Sequence, residues 1–268
     1  MKRKSYVLWA VIVMALLSWA LTPVSVAAEK ESLKFSCSAQ VYEAFKKDML
    51  PAFIQDSGIN VDLYVSSSGS ALYRLMNGFA DISSTTRELY QRHSEYGYIQ
   101  KAFCKDPMAI IVKSGCGVDN ISEQHLQEIF SGNITNWQEL GGSDLPIVVI
   151  VPGEHTGANK NFRRQIMKHK EIKYDFMAYR STGAAKLVQY LPCGGISFIS
   201  HGASVQEENI DVLRVNGYLP KDENYPYYQI FYFVTKGEPV GAAKALIDYT
   251  QSKKGKSIIK KRGMFPLL

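Results

Sequence analysis

Apolar residues fall into short runs that stop at hydroxyl-rich turns. Leu33-Lys34-Phe35 reads as a short strand running into Ser36-Cys37-Ser38-Ala39-Gln40. Val41, Phe45, Met49 and Leu50 follow at helical spacing. From Ile59 to Val65, Asn, Asp and Tyr alternate with Val and Leu, which predicts a second strand. It ends in Ser66-Ser67-Ser68-Gly69-Ser70, after which Leu72, Leu75 and Met76 open a helix. Phe79-Ala80-Asp81-Ile82 predicts a third strand, ending in Ser83-Ser84-Thr85-Thr86-Arg87. Strands that stop at such turns and pass into helices imply a parallel α/β sheet.

Further along, Met108 to Val112 and Leu145 to Val151 read as buried strands. The second ends at Pro152-Gly153-Glu154-His155-Thr156-Gly157, and a helix follows with Phe162 and Ile166 inward. A helix over 183–190, a strand over 195–200, an aromatic strand over 225–234 and helices over 242–249 and 256–260 complete the pattern. With no repeat or linker visible, the pattern predicts two α/β lobes with the chain passing between them.

The chain has 268 residues, 46% hydrophobic and 21% charged, which excludes a disordered polymer. Its one long apolar run, Tyr6 to Leu21, follows Lys2-Arg3-Lys4 and precedes Pro23 and the small residues Ser25 to Ala28. That is the pattern of a cleaved secretory leader over residues 1–28, and it places the mature chain in the periplasm or outside the cell. Beyond residue 28 there are 28 basic and 25 acidic residues, a net of +3, too little for a nucleic-acid footprint. Cys37, Cys104, Cys116 and Cys193 lack zinc spacing. In an oxidising compartment they predict at least one disulfide, with three connectivities open. No metal and no cofactor is expected.

The candidate chemistry lies in the turns. Ligands of open parallel sheets sit outside the carboxyl ends of the strands. A helix start there offers unpaired N–H groups and the positive end of its dipole. Ser66–Ser70, Ser83–Thr86 and Thr156-Gly157 share this character, and Arg87 adds one full positive charge. Together they predict an anion site. His155 is a weaker candidate for the same ligand. No His-Glu-x-x-His pair, nucleophile elbow or Gly-Lys-Ser/Thr loop appears, so an enzyme is not expected.

Longer segments carry a family resemblance. They are Ser67-Ser68-Gly69-Ser70-Ala71, Asn77-Gly78-Phe79-Ala80-Asp81-Ile82, Thr156-Gly157, Gly195-Ile196-Ser197-Phe198 and the terminal Gly263-Met264-Phe265-Pro266-Leu267. The most specific is Ile129-Phe130-Ser131-Gly132-Asn133-Ile134-Thr135-Asn136-Trp137 with Leu140-Gly141-Gly142. Together they resemble the periplasmic phosphate-binding proteins of ABC transporters, in the type II solute-binding superfamily. The resemblance implies a two-lobed α/β fold, each lobe a central mixed sheet flanked by helices, with the ligand cleft between lobes. Lobe 1 would take residues 29–105 plus 226–268, and lobe 2 residues 106–225. It also implies a monomer that captures phosphate or a related oxyanion and hands it to the transmembrane subunits of an ABC permease.

Carried over residue by residue, the ligand contacts would be Gln40, Val41, Ser68, Thr86, Thr156, Gly157 and Ala158, beside the Arg87 read from the turn itself. Four of the family's positions differ. Its arginine falls at Pro152, its threonines at Ala158 and Gln40, and the acidic proton acceptor at Thr86. The identity of the anion therefore stays open, as does a second reading: a sensor or interaction protein on the same fold that reads another anion or a small organic acid. Trp137 is expected to pack its loop, and the lysines and Arg262 of residues 253–262 to form a solvated helix face.

Overall fold

A computed structural model describes residues 31–115, 118–204 and 208–267. The leader assigned to residues 1–28 and the Cys116 thiol lie outside these described residues. The strands are β1 (Ser32–Ser38), β2 (Asn60–Ser66), β3 (Ile82–Thr85), β4 (Tyr98–Lys113), β5 (Asn120–Ile121), β6 (Val148–Pro152), β7 (Phe176–Ala178), β8 (Gly195–Ser200), β9 (Ile210–Val212), β10 (Arg214–Val215), β11 (Tyr228–Lys236) and β12 (Phe265–Pro266). One mixed sheet runs β2-β1-β3-β11-β4-β8-β6-β7. β1 pairs in parallel with β2 and β3, and β6 with β7 and β8. β11 lies antiparallel between β3 and β4, and β4 antiparallel to β8.

The alternation over 59–65 becomes edge strand β2, with Asp62 and Tyr64 exposed. The single helix suggested by Val41, Phe45, Met49 and Leu50 is two, Ala39–Phe45 and Met49–Ser57. Asp48 breaks it by accepting the Met49 N–H at 2.7 Å as an N-cap, and Gly58 closes the second helix at φ 70. The third strand is shifted: Phe79 is exposed, and β3 consists of Ile82 and the fully buried Ser83, Ser84 and Thr85. These small hydroxyl residues fit between two neighbouring strands, so their polarity disguised an inner strand as a turn. No helix follows it directly. The next, Gln91–Glu95, is five residues long.

β4 is the longest strand, with 16 residues. Only its end, Met108–Val112, stands out in the sequence. Its first half carries Gln100, Lys101, Lys105 and Asp106 and is held as a strand by pairing with β11. One set of buried side chains includes Phe35, Phe45, Phe53, Phe103, Phe231 and Phe233, with Phe103 stacked on Phe233 at 4.0 Å. A second includes Met108, Phe130, Trp137, Phe162, Phe198 and Tyr225, with Phe162 on Phe198 at 3.8 Å. The Trp137 indole N–H donates to Gly194 O at 3.0 Å, so this ring is a packing element.

Asp106 and Gln229 lie opposite each other on β4 and β11, between these two cores. The Asp106 carboxylate is fully buried. It accepts from Ser200 Oγ at 2.5 Å, Gln229 Nε2 at 2.8 Å and the Gly202 N–H at 2.9 Å. Burial raises its pKa to about 6, while these hydrogen bonds and the Arg262 charge pull it down. Arg262 is not on a solvated face. Its Nε donates to both Asp48 oxygens, at 2.9 and 2.7 Å, and its guanidinium to Gly202 O at 2.9 Å.

Cys37, Cys104 and Cys193 are free thiols, so no disulfide joins these three, contrary to expectation. Cys37 accepts from Ser84 Oγ at 3.3 Å, and Cys104 lies 3.7 Å from the Met264 sulfur. Burial pushes the Cys37 thiol up to about 12 and Cys104 well above its usual value. Both behave as small core residues.

Candidate functional site

The helix Ser68–Met76 starts where β2 ends, and Gly157–Gln165 follows closely on β6. Each is capped by a hydroxyl. Ser67 Oγ accepts from Ser70 N and Thr156 Oγ1 from Asn159 N, both at 3.2 Å. The amides of Ser68 and Gly69, and of Gly157 and Ala158, are left without a partner in their own helix. Thr86 lies between the two starts. Its N–H donates to Ser68 Oγ at 3.1 Å, and the two hydroxyls are 3.2 Å apart. A Cβ added to Gly157 would stand 2.5 Å from Thr86 Oγ1, 3.2 Å from Gln229 Oε1 and 3.4 Å from Gln40 Cδ. Glycine is what allows these segments to approach so closely.

A cavity of about 490 Å³ opens here, lined by Ser68, Thr86, Arg87 and Gly157 among others. Lys160, Asn161 and Arg164 line it as well. Gly157, Lys160, Asn161 and Arg164 are spaced i, i+3, i+4, i+7, so one helix face supplies two cations to the cavity. Tyr228, Ile230 and Tyr232 of β11 form another wall, and Glu88 is the carboxylate in the lining. The Tyr232 O–H donates to Glu88 Oε1 at 3.3 Å, and burial with that carboxylate raises the phenol to about 12. A small cavity of about 50 Å³ adjoins, lined by Gln40, Thr156, Arg180 and Ser181, with Ser67 and His155 common to both.

The site residues proposed from sequence therefore divide. Ser68, Thr86, Arg87 and Gly157 line one cavity; Gln40 and Thr156 line the adjoining one. Thr156 Oγ1 donates to Gly153 O at 2.8 Å, so its proton is engaged. The side chains of Val41 and Ala158 lie in the two cores, leaving only their amides to offer. Among the described residues no group of three or more His, Cys, Asp or Glu is placed to hold a metal ion.

A PBP superfamily domain matches residues 22–254. The chain belongs to that superfamily. Among its relatives, the phosphate-binding protein PstS of Bacillus subtilis is 26% identical over 219 residues, 78% of this chain and 71% of the relative. The phosphate-binding protein PstS of Borreliella burgdorferi is 24% identical over 204 residues, 70% of this chain and 73% of the relative. A Clostridium perfringens substrate-binding protein solved with phosphate bound shares the fold at a TM-score of 0.75 and 22% identity. That match covers 89% of this chain and all of the other. The resemblance read from the sequence motifs is to the same group of proteins.

In this member of the superfamily, sequence reasoning missed the cavity-lining residues Lys160, Asn161, Arg164, Tyr228 and Tyr232. Helical spacing from Gly157 was the available signal for the first three. Arg87, from the turn after β3, and Lys160 and Arg164, from the helix that follows β6, all line the cavity, whereas Pro152 brings no charge. Ser38 was also passed over. Its hydroxyl is fully buried, caps no amide of the helix it precedes, and has no partner among the described residues.

Proposed function

We propose that this chain captures phosphate, or a closely related tetrahedral oxyanion, outside the cytoplasm and hands it to the transmembrane subunits of an ABC permease. One observation carries the reading: two hydroxyl-capped helix starts meet at Thr86 in a cavity lined by Arg87, Lys160 and Arg164. Unpaired amides, hydroxyls and three cations suit a compact dianion. Its relatives named phosphate-binding proteins support the same reading. The chain acts as a binder and not a catalyst, as a monomer, with no nucleic-acid partner. Residues 29–105 with 226–268, and residues 106–225, are the two lobes of this reading. Its support is the division of buried side chains between Cys104 and Met108 and between Tyr227 and Phe231. Closure about the strands that join them would follow the hinge motion of periplasmic binding proteins.

Isothermal calorimetry with phosphate, arsenate, sulfate and molybdate tests the proposal. Micromolar or tighter phosphate binding, about −8 kcal/mol, is expected. No heat with any of the four removes it. A second reading, a sensor of a larger phosphorylated or carboxylic acid, is favoured by the cavity volume of about 490 Å³, ample for more than one oxyanion. Native mass spectrometry of the untreated protein separates the two by the mass of any retained ligand.

A further inference from the structure

A site built only from donors accepts any tetrahedral oxyanion of fitting charge. Near neutral pH phosphate carries a proton and sulfate does not, so an acceptor aimed at that proton separates them. Thr86 offers no carboxylate for this, and the Glu88 carboxylate is exposed at the rim, where water screens it. Gln229 is buried behind Gly157.

The orientation of its amide is fixed from the rear. Asp106 Oδ1 is held by the Gly202 N–H, and Oδ2 accepts from Ser200 Oγ and Gln229 Nε2. An ionised carboxylate has only lone pairs to present, so Gln229 must turn its NH2 toward it. Its carbonyl oxygen then faces the other way, 3.2 Å from the point where a Gly157 Cβ would stand. Thr86 Oγ1 approaches that same point to 2.5 Å. Among the described residues the only donor to Gln229 Oε1 is Asn161 Nδ2, at a long 3.5 Å, and that amide already donates to Gly157 O at 2.9 Å. A buried acceptor with one weak partner thus sits beside Gly157, which with Thr86 lines the anion cavity.

We propose that Gln229 Oε1 accepts the proton of a bound hydrogen phosphate and thereby excludes sulfate, with Asp106 as the positioning residue that turns the amide. The inference rests on the phosphate reading above. Substitution at Asp106 inverts the geometry in a definite way. In Asp106→Asn the Gly202 N–H keeps the new carbonyl oxygen on its side, so the new NH2 faces Gln229. Gln229 must then turn its own NH2 to the cavity and offer sulfate a donor.

The experiment is competition calorimetry of phosphate against sulfate on wild type, Gln229→Met, Asp106→Asn and, as the rival acceptor at the rim, Glu88→Gln, with thermal melting of each. Gln229→Met is expected to narrow the phosphate-to-sulfate affinity ratio by about tenfold or more. Asp106→Asn is expected to narrow it by tightening sulfate, which a merely structural residue would not do. Glu88→Gln is expected to move the ratio less than Gln229→Met does. If Gln229→Met does not melt cooperatively, Asp106→Asn decides alone, being nearly isosteric. A ratio unchanged in the folded variants, or one that moves only with Glu88→Gln, overturns the inference while leaving phosphate capture intact. So does a wild-type protein that takes sulfate as tightly as phosphate. A wild type that gives no heat with phosphate overturns the functional reading and this inference with it.

Discussion

The two helix starts at Thr86 are each capped by a hydroxyl, Ser67 and Thr156, and differ beyond it. Ser68–Met76 brings hydroxyls: Ser68 holds the Thr86 N–H, and no acidic or basic side chain lies in the first turn. Gly157–Gln165 brings a bare glycine and two cations one and two turns along. A Cβ at Gly69 would meet nothing nearer than 3.8 Å, whereas one at Gly157 would meet Thr86 at 2.5 Å. One start is roomy and hydroxyl-rich; the other is tight and charged. Shape and two of the cations are thus supplied by one side of the cavity, and hydroxyl donors, with Arg87 beside Gly69, by the other.

The first way to sharpen this contrast is to secure the fold that carries both starts, and it has the largest expected effect. The folded pKa of Asp106 is raised to about 6, from 3.8. Between those values the folded state binds the extra proton, so stability falls as pH rises from about 4 to 6. The full contribution is about 3 kcal/mol. Asp106→Asn, which resembles the protonated acid, is expected to melt higher than wild type at pH 7 and level with it near pH 4. Equal melting at both pH values would show the carboxyl is not strained by burial.

Next comes Gly157→Ala against Gly69→Ala. The clash at Gly157 is expected to cost about 2–3 kcal/mol, roughly a hundredfold in phosphate affinity, while Gly69→Ala stays within about threefold. Equal losses would erase the contrast. The double substitution Lys160→Gln/Arg164→Gln is expected to weaken phosphate binding by about tenfold or more. It should also flatten the salt dependence measured between low and moderate ionic strength. Ser68→Ala should cost less than the cation pair, about 1 kcal/mol or fivefold, because it removes one hydroxyl and leaves the Thr86 N–H unpaired. A salt dependence that moves with Ser68→Ala, and not with the cation pair, would reverse the division of labour.

What the sequence disclosed follows the same physics. The strand 195–200 and the start at Thr156-Gly157 were readable, since continuous burial and a hydroxyl cap before an inward Phe162 are local signals. β3 was misplaced because Ser83, Ser84 and Thr85 owe their burial to strands distant in sequence. The first half of β4 was invisible for the same reason. Ser68, Thr86, Arg87 and Gly157 could be named because strand ends and helix starts mark them. Lys160 and Arg164 lie past the turn, where no strand end or cap marks them, and Gln229 was hidden in a run of aromatics. Its partner Asp106 lies 123 residues away.

The inert thiols have a practical consequence. Cys37 on β1 and Cys104 on β4 are sealed in a core and held in the unreactive protonated form. An alkylating reagent should pass them by until that core opens. The speed at which the two are labelled, with and without saturating anion, therefore gives a clock for unfolding that needs no engineered probe.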